Sequence, residues 1–412
     1  MNIETISKRR VEVAAGILRS GVESLRRRDV TRTGIRIYRD GFVGVAGAIG
    51  GFDPAAKRIE AEAALSRGVE YPFAVSAEGT LHIRHAPDLP DASSFPGEVE
   101  SVLKDLSESM PDLIFSGSAR RFRDESSITN DAGLDLSCSV ERMNLDLMFK
   151  HRESAGILDG SVYPGSIRRW DRAAYLDEAL SFCGAFLNDV ELPAEGDLPV
   201  IFPCDAFVQP LAKLLGELNG VRFGSGASLF SGKTGQKLFS ESFSLEQCLD
   251  PEFGSQAFFD DEGTVNEGFR YPVVSRGVVI TPFTDKRTSS RFGLPLTGAA
   301  SCEYDGIPQL GTPVVEPATG DRTLVEILDG RPGVFVAMAS GGEFTPDGGY
   351  ATPVQLGFLC EGGRLAGRLP ELGISSNMFD MLGDGYMGVS KDSLSRVSDM
   401  RCMVISMKVE KA

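Results

Sequence analysis

Three consecutive acids, Asp260, Asp261 and Glu262, stand in the stretch FFDDEGT between two phenylalanines and Gly263. Clustered carboxylates are ligands for hard cations, but calcium and magnesium take several oxygens from spaced positions. Three adjacent side chains do not converge on one ion. The glycine that follows, with a strand pattern soon after, favours a structured turn bordering a cleft. Other chemistry-bearing residues are sparse. Of the three histidines, His82 and His85 share the strand-like TLHIRHA, where an offset of three sends side chains to opposite faces. His151 stands alone. No His-Glu-x-x-His and no Cys-x-x-Cys occurs, so the inventory disfavours the usual zinc sites. The stretch GSGASLFSGKTGQ contains Gly232-Lys233-Thr234, like the end of a phosphate loop. Position 227 is Ala where such a loop needs Gly, and no helix pattern follows, which rejects ATP binding there. Ser301 and Cys302 remain as conceivable nucleophiles with no locally marked base.

The bulk numbers set the frame for these residues. The chain has 412 residues, 42% of them hydrophobic and 24% charged, as in an ordinary soluble globular protein. The length predicts two domains. A break near DVELPAEGDLP divides an N-terminal α/β domain over 1–190 from a β-rich domain over 191–412. A net charge of −16 removes the positive field that nucleic acid requires. Seven dispersed cysteines imply reduced thiols. No apolar run approaches the ~18 residues of a membrane span. The N-terminus lacks the apolar core of a signal peptide. A cytoplasmic location is expected.

The elements that must position the acids follow from periodicity. Val11, Ala15, Leu18, Val22 and Leu25 fit one helical face, which predicts an opening helix with Arg26–Arg28 at its C-terminal end. Ile35 and Ile37, then Asp40-Gly41, then Val43 and Val45 predict a hairpin. Asp53, Pro54 and Gly68 punctuate a helix. Another is expected around Val99, Val102, Leu103 and Leu106, and one more after Asp171. Leu134, Leu136, Cys138 and Val140 alternate, then Met143, Leu145, Leu147 and Phe149, which reads as an antiparallel pair of strands. Phe207, Leu211, Leu214, Leu215 and Leu218 make a helical stripe. From Val221 onward, glycine and short strands dominate. The fold class is therefore α+β. Its N-terminal domain is an antiparallel sheet with flanking helices, and its C-terminal domain a curved antiparallel sheet.

In its C-terminal half the sequence resembles the TldD/PmbA family. The matching positions are Asp260, Asp261, Glu262, Gly263, Gly277, Asp285, Gly293, Thr297 and Gly298. They are followed by the paired glycines of ASGGEF and the closing element from Pro370 to Asn377. Upstream, Asn130 and Gly133 resemble the family's strand turn. The resemblance covers about the last two-thirds of the chain. Two departures stand out: the compact segment before Asp53, and TGAASCEY where many members carry an Asn- and Arg-rich run.

The resemblance implies two kinds of subunit. The TldD kind is a zinc metalloprotease with a His-Glu…His helix, and the TldE/PmbA kind lacks that motif and pairs with it. The corresponding helix here, in CDAFVQPLAKLLGELNG, carries no histidine, and its only acid is Glu217. The chain is thus expected to be the TldE/PmbA kind, with no metal or catalytic residue of its own and with zinc in the partner. It would enclose a chamber with a TldD-like subunit, or with a second copy of itself, and bind extended peptide. Asp260, Asp261, Glu262, Gly263, Arg291, Thr297 and Asn377 are the candidate peptide-binding or cleft-bordering residues. The alternatives are a regulator of DNA gyrase acting through protein contacts, and an independent non-zinc hydrolase using Ser301 or Cys302.

Overall fold

The computed structural model describes residues 1–162, 165–203, 208–253 and 257–412. Its opening segment is a strand, β1 (Asn2–Leu18), and not the expected helix. Val11, Ala15 and Leu18 fit a helical face, but Val11, Val13, Ala15 and Ile17 also alternate. The β-branched residues at 3, 5, 6, 11, 13 and 17 favour extended backbone. Arg26, Arg27 and Arg28 accordingly lie on a second strand, β2 (Gly21–Arg39), and cap no helix. The predicted Asp40-Gly41 turn joins β2 to β3 (Phe42–Ile49). The remaining elements of this half are α1 (Pro54–Ala64), β4 (Gly79–His85), α2 (Phe95–Ser109), β5 (Leu113–Asn130), β6 (Leu134–His151), β7 (Gly160–Val162) and α3 (Arg172–Leu187). Asp53 caps α1 by accepting from Ala55 N at 3.0 Å, and Asp171 caps α3 by accepting from Ala174 N at 3.0 Å.

These strands form one sheet in the order β3-β2-β1-β5-β6-β4, with β7 also on β6. Only the β4–β6 pair is parallel. The segment expected to be two strands is the single strand β6. Even positions Leu134, Leu136, Cys138 and Val140 pack beneath Phe258 and Phe259. Odd positions Met143, Leu145, Leu147 and Phe149 pack against α2 and α3 through Phe95, Val99, Tyr175 and Phe186. The apolar set changes face midway because each face of the sheet is covered at a different end. That switch mimics a turn in the sequence.

The second half begins with β8 (Gly196–Pro203) and α4 (Val208–Glu217). Strands Gly333–Ala339, β8, Cys402–Lys411, Leu372–Asn377 and Gly349–Glu361 pair in that order, and Gly349–Glu361 pairs back to Gly333–Ala339. The sheet therefore closes on itself around a core that includes Phe202, Val354, Ile374, Met403 and Ile405. A separate four-stranded sheet centres on Leu245–Cys248 and Arg270–Ser275. No helix among the described residues is long and apolar enough to cross a membrane.

One buried cluster runs from α2 and α3 into this closed sheet. Phe182 of α3 meets Phe358 with ring centroids 4.7 Å apart, and Phe149 meets Phe186 at 4.9 Å. Phe358 is fully buried. Phe358→Ala should destabilise the chain by about 3–5 kcal/mol in urea unfolding, because it removes a ring from a close-packed contact. A change below about 1 kcal/mol would mean that this contact does not couple the two halves.

Candidate functional site

The three acids of the 260–263 turn diverge. Asp260 turns inward: its Oδ1 accepts from the backbone N–H of Glu262 (3.0 Å) and of Thr264 (2.8 Å), and its Oδ2 from Ala300 N (3.0 Å). Gly263 closes this turn at φ +71°, and a Cβ there would lie 2.6 Å from Leu134 Cδ2. Asp261 points to β1, where Lys8 Nζ is 2.8 Å away, and it also accepts from Cys302 N at 2.8 Å. Glu262 points the other way, accepting from Tyr71 Oη and from Lys286 N (2.9 Å). No group of three or more His, Cys, Asp or Glu side chains among the described residues is placed to share a metal.

Fully buried Arg36 on β2 ties the turn to the first sheet. Its Nη1 donates to Asp261 O at 2.6 Å and to Glu4 Oε1 at 3.1 Å, and its Nη2 donates to Cys302 Sγ. Tyr38 Oη donates to the same Glu4 oxygen at 2.9 Å. Ser76 Oγ and Lys286 Nζ both reach Glu262 O. Arg36, Tyr38, Tyr71, Lys8 and Lys286 went unmarked in the sequence. Reading β1 as a helix hid the alternation that sets Glu4 and Lys8 on one face.

Burial raises several pKa values here. It pushes Asp260 up to about 7, with the neighbouring Glu262 charge adding to the rise and three backbone N–H bonds opposing it. Burial also raises Glu262, against the hydrogen bond from Tyr71. The Cys302 thiol is pushed up to about 12 by burial, with Arg36 opposing. It therefore stays protonated at neutral pH, which is the wrong state for a nucleophile. Ser301 is exposed and has no histidine in hydrogen-bond contact among the described residues.

Asp260 and Asp261 line a cleft of about 450 Å³ between the first sheet and the turn. Gly298, next to candidate Thr297, lines it too. Thr297 is buried and exchanges hydrogen bonds with Thr284, its Oγ1 accepting from Thr284 N at 2.9 Å. Arg291 lies over the Phe292 ring at 5.0 Å, outside this cleft. Asn377 is also outside it, capping helix Met378–Leu382 by accepting from Phe379 N at 2.9 Å. The structure brings together the acids and the 297–298 segment, but not Arg291 or Asn377.

Leu211 and Leu214 on α4, and Leu218 directly after it, are buried as the stripe requires. Phe207 of that stripe, with Cys204 and Asp205, lies outside the described residues. Glu217 is buried and held by Lys213 (2.7 Å), Arg222 (3.2 Å) and Leu229 N (2.7 Å). Burial opposes its charge, but these partners hold its pKa below the usual glutamate value. The described residues of α4 do not fit a zinc ion, since the one carboxylate there is already saturated.

Two outcomes follow from the turn. Arg36→Met should cost about 3–5 kcal/mol by leaving Glu4 buried without its cation, and Glu4→Gln in the same chain should recover part of that loss in urea unfolding. An equal cost with and without Glu4→Gln would contradict the pairing. For Asp260, the folded chain keeps a proton between about pH 4 and 7 that the unfolded chain has released. This carboxyl's contribution to stability therefore falls as pH rises through that window. Asp260→Asn should flatten the stability–pH curve there, whatever its absolute cost. An unchanged slope would show that Asp260 does not titrate in that range.

The comparisons with known proteins agree with this architecture. The model of the PmbA/TldA metallopeptidase C-terminal domain matches residues 195–410. The zinc metalloprotease TldD homolog of Saccharolobus solfataricus is 26% identical over 205 residues. That match covers 48% of this chain and 45% of the homolog, so the chain aligns with less than half of its length. Among solved structures, TldE from Thermococcus kodakarensis superposes with a TM-score of 0.79 at 19% identity, over 100% of this chain and 95% of that one. A protein from Thermotoga maritima, described as a candidate modulator of a DNA gyrase, gives 0.79 at 17% identity, over 99% and 96%. At such identities the superpositions show a shared fold and nothing finer. The family match extends over more than half of the residues and takes in the closed sheet, α4 and the acidic turn, and on that ground the chain belongs to the PmbA/TldD metallopeptidase family.

Proposed function

We propose that this chain is the non-catalytic, TldE/PmbA-like subunit of a TldD/TldE-type metallopeptidase. It binds unfolded or precursor peptide in extended form and walls a proteolytic chamber with a TldD-like partner in the cytoplasm. The observation that carries the reading is α4. The helix keeps its buried stripe, has no histidine, and commits Glu217 to Lys213, Arg222 and Leu229 N. A scaffold retained without ligands suits a subunit whose contribution is shape and binding. The high pKa of Cys302 and the absence of a base at Ser301 among the described residues remove support from an independent hydrolase.

In this reading the partner's zinc supplies the hydrolytic chemistry. This chain's own groups hold the peptide and exclude water. Backbone pairing with an added strand suits a sequence-tolerant substrate, because main-chain hydrogen bonds supply most of the affinity.

The test is peptidase activity on an unfolded substrate, measured for this chain alone, for a TldD-like protein from the same genome alone, and for the two co-expressed. The expected result is no cleavage by this chain and cleavage by the pair. Cleavage by the purified chain alone, in the absence of the partner, would overturn the proposal.

A further inference from the structure

The cleft between the first sheet and the acidic turn holds one cationic side chain that no described residue pairs with. Its four acids are all engaged. Asp124 pairs with Arg10 (2.6 Å) and Arg142 (2.5 Å), and Glu125 with Arg9 (3.2 Å) and Arg123 (2.9 Å). Asp261 is taken by Lys8 and Cys302 N, and Asp260 by three backbone N–H groups. Arg9, Arg10 and Lys8 are thereby satisfied. The side chain of Arg32, the remaining cation of the lining, makes no hydrogen bond or ion pair with any described residue. It is half-buried and stands directly across from Lys8 in the β1–β2 register, so both side chains rise from the same face. The hydroxyls of Ser126, opposite Lys8 on β5, and of Ser301 across the cleft also have no hydrogen-bond partner among the described residues. The lining is completed by apolar groups of Val140, Leu249 and Phe259.

We propose that this cleft is a carboxylate subsite, with Arg32 as the cation that anchors an acidic group of an extended peptide. The proposal rests on the peptide-binding reading above and adds the substrate's chemistry to it. A guanidinium presents a planar fork of donors that matches a carboxylate. A single lining cation without an ion-pair partner among the described residues suits one singly charged carboxylate. The hydroxyls of Ser126 and Ser301 offer further donors, and the apolar wall accepts a neighbouring side chain. The volume of about 450 Å³ falls within the range of small-ligand sites. The carboxylate has two sources, a peptide's free C-terminus or an Asp or Glu side chain.

Isothermal titration of the full chain, without partner or metal, decides the matter. The probes are an N-acetylated apolar hexapeptide with a free C-terminus, its C-terminal amide, and an amide whose last residue is Glu. At least one carboxylate-bearing probe, the free acid or the Glu-ended amide, should bind about tenfold or more tightly than the plain amide. Comparison of those two probes separates the sources: tighter binding of the Glu-ended amide assigns a side-chain carboxylate, and tighter binding of the free acid assigns the C-terminus. Arg32→Gln should abolish the acid–amide difference. Arg276→Gln, which removes a surface partner of Glu241 far along the sequence, should preserve it. Since Arg32 has no partner to lose, Arg32→Gln should melt like the parent chain. Equal affinity of the plain amide and both carboxylate-bearing probes, a difference that survives Arg32→Gln, or no binding of any probe would overturn the subsite. Peptidase activity of the co-expressed pair is read separately, so the subunit assignment stands or falls on its own assay.

Discussion

Arg36 is the interaction on which the rest of this structure depends. A guanidinium with no exposed surface is costly to desolvate; here both terminal nitrogens are engaged, while Nε has no partner among the described residues. Here Glu4 comes from the adjacent strand, while the Asp261 carbonyl and the Cys302 sulfur come from more than two hundred residues away. A single buried cation thus fixes how the acidic turn sits on the first sheet. Lys8–Asp261 on one side and Tyr71–Glu262 on the other extend the same joint. Three adjacent acids, read from the sequence as a structured turn bordering a cleft, serve as three separate attachments.

The joint also determines where space is left. Phe258 and Phe259, carried beside the turn, cover the Leu134–Val140 end of β6, whereas α2 and α3 cover the opposite face at the Met143–Phe149 end. The sheet is covered on each face over part of its length only. The cleft lies where the turn meets the polar stretch of β1, β2 and β5. Its charged lining is consistent with a strand pattern in which Lys8, Arg10 and Arg32 alternate with residues of the opposite face.

Much of this was legible in the sequence where local chemistry and tertiary packing agree. The caps at Asp53 and Asp171, the Asp40-Gly41 hairpin, the Asn130–Gly133 turn and the stripe of α4 each carry a short-range signal that the fold preserves. Asn130 Oδ1 accepts from Ala132 N and Leu134 N, as an Asx-type turn requires. What misled was periodicity judged without knowing which face is covered. Val11, Ala15 and Leu18 satisfy a helical period as well as a strand period. The apolar set of β6 changes face without a turn because two different layers cover it. The partners of the acids were illegible for a different reason. Glu4, Lys8, Arg36 and Tyr71 lie far from residue 260 in the chain, and nothing short-range ties them to it.

The family's fold is present, and α4 packs its leucines into the core with its one described acid held by Lys213, Arg222 and Leu229 N. On the reading proposed above, such a subunit contributes shape and binding, and the hydrolytic chemistry comes from its partner. The most direct measurement is native mass spectrometry of this chain co-purified with a TldD-like protein, reading zinc per assembly and then per separated chain. The account predicts zinc retained with the TldD-like chain and none with this one. Zinc bound stoichiometrically to this chain after separation would contradict it.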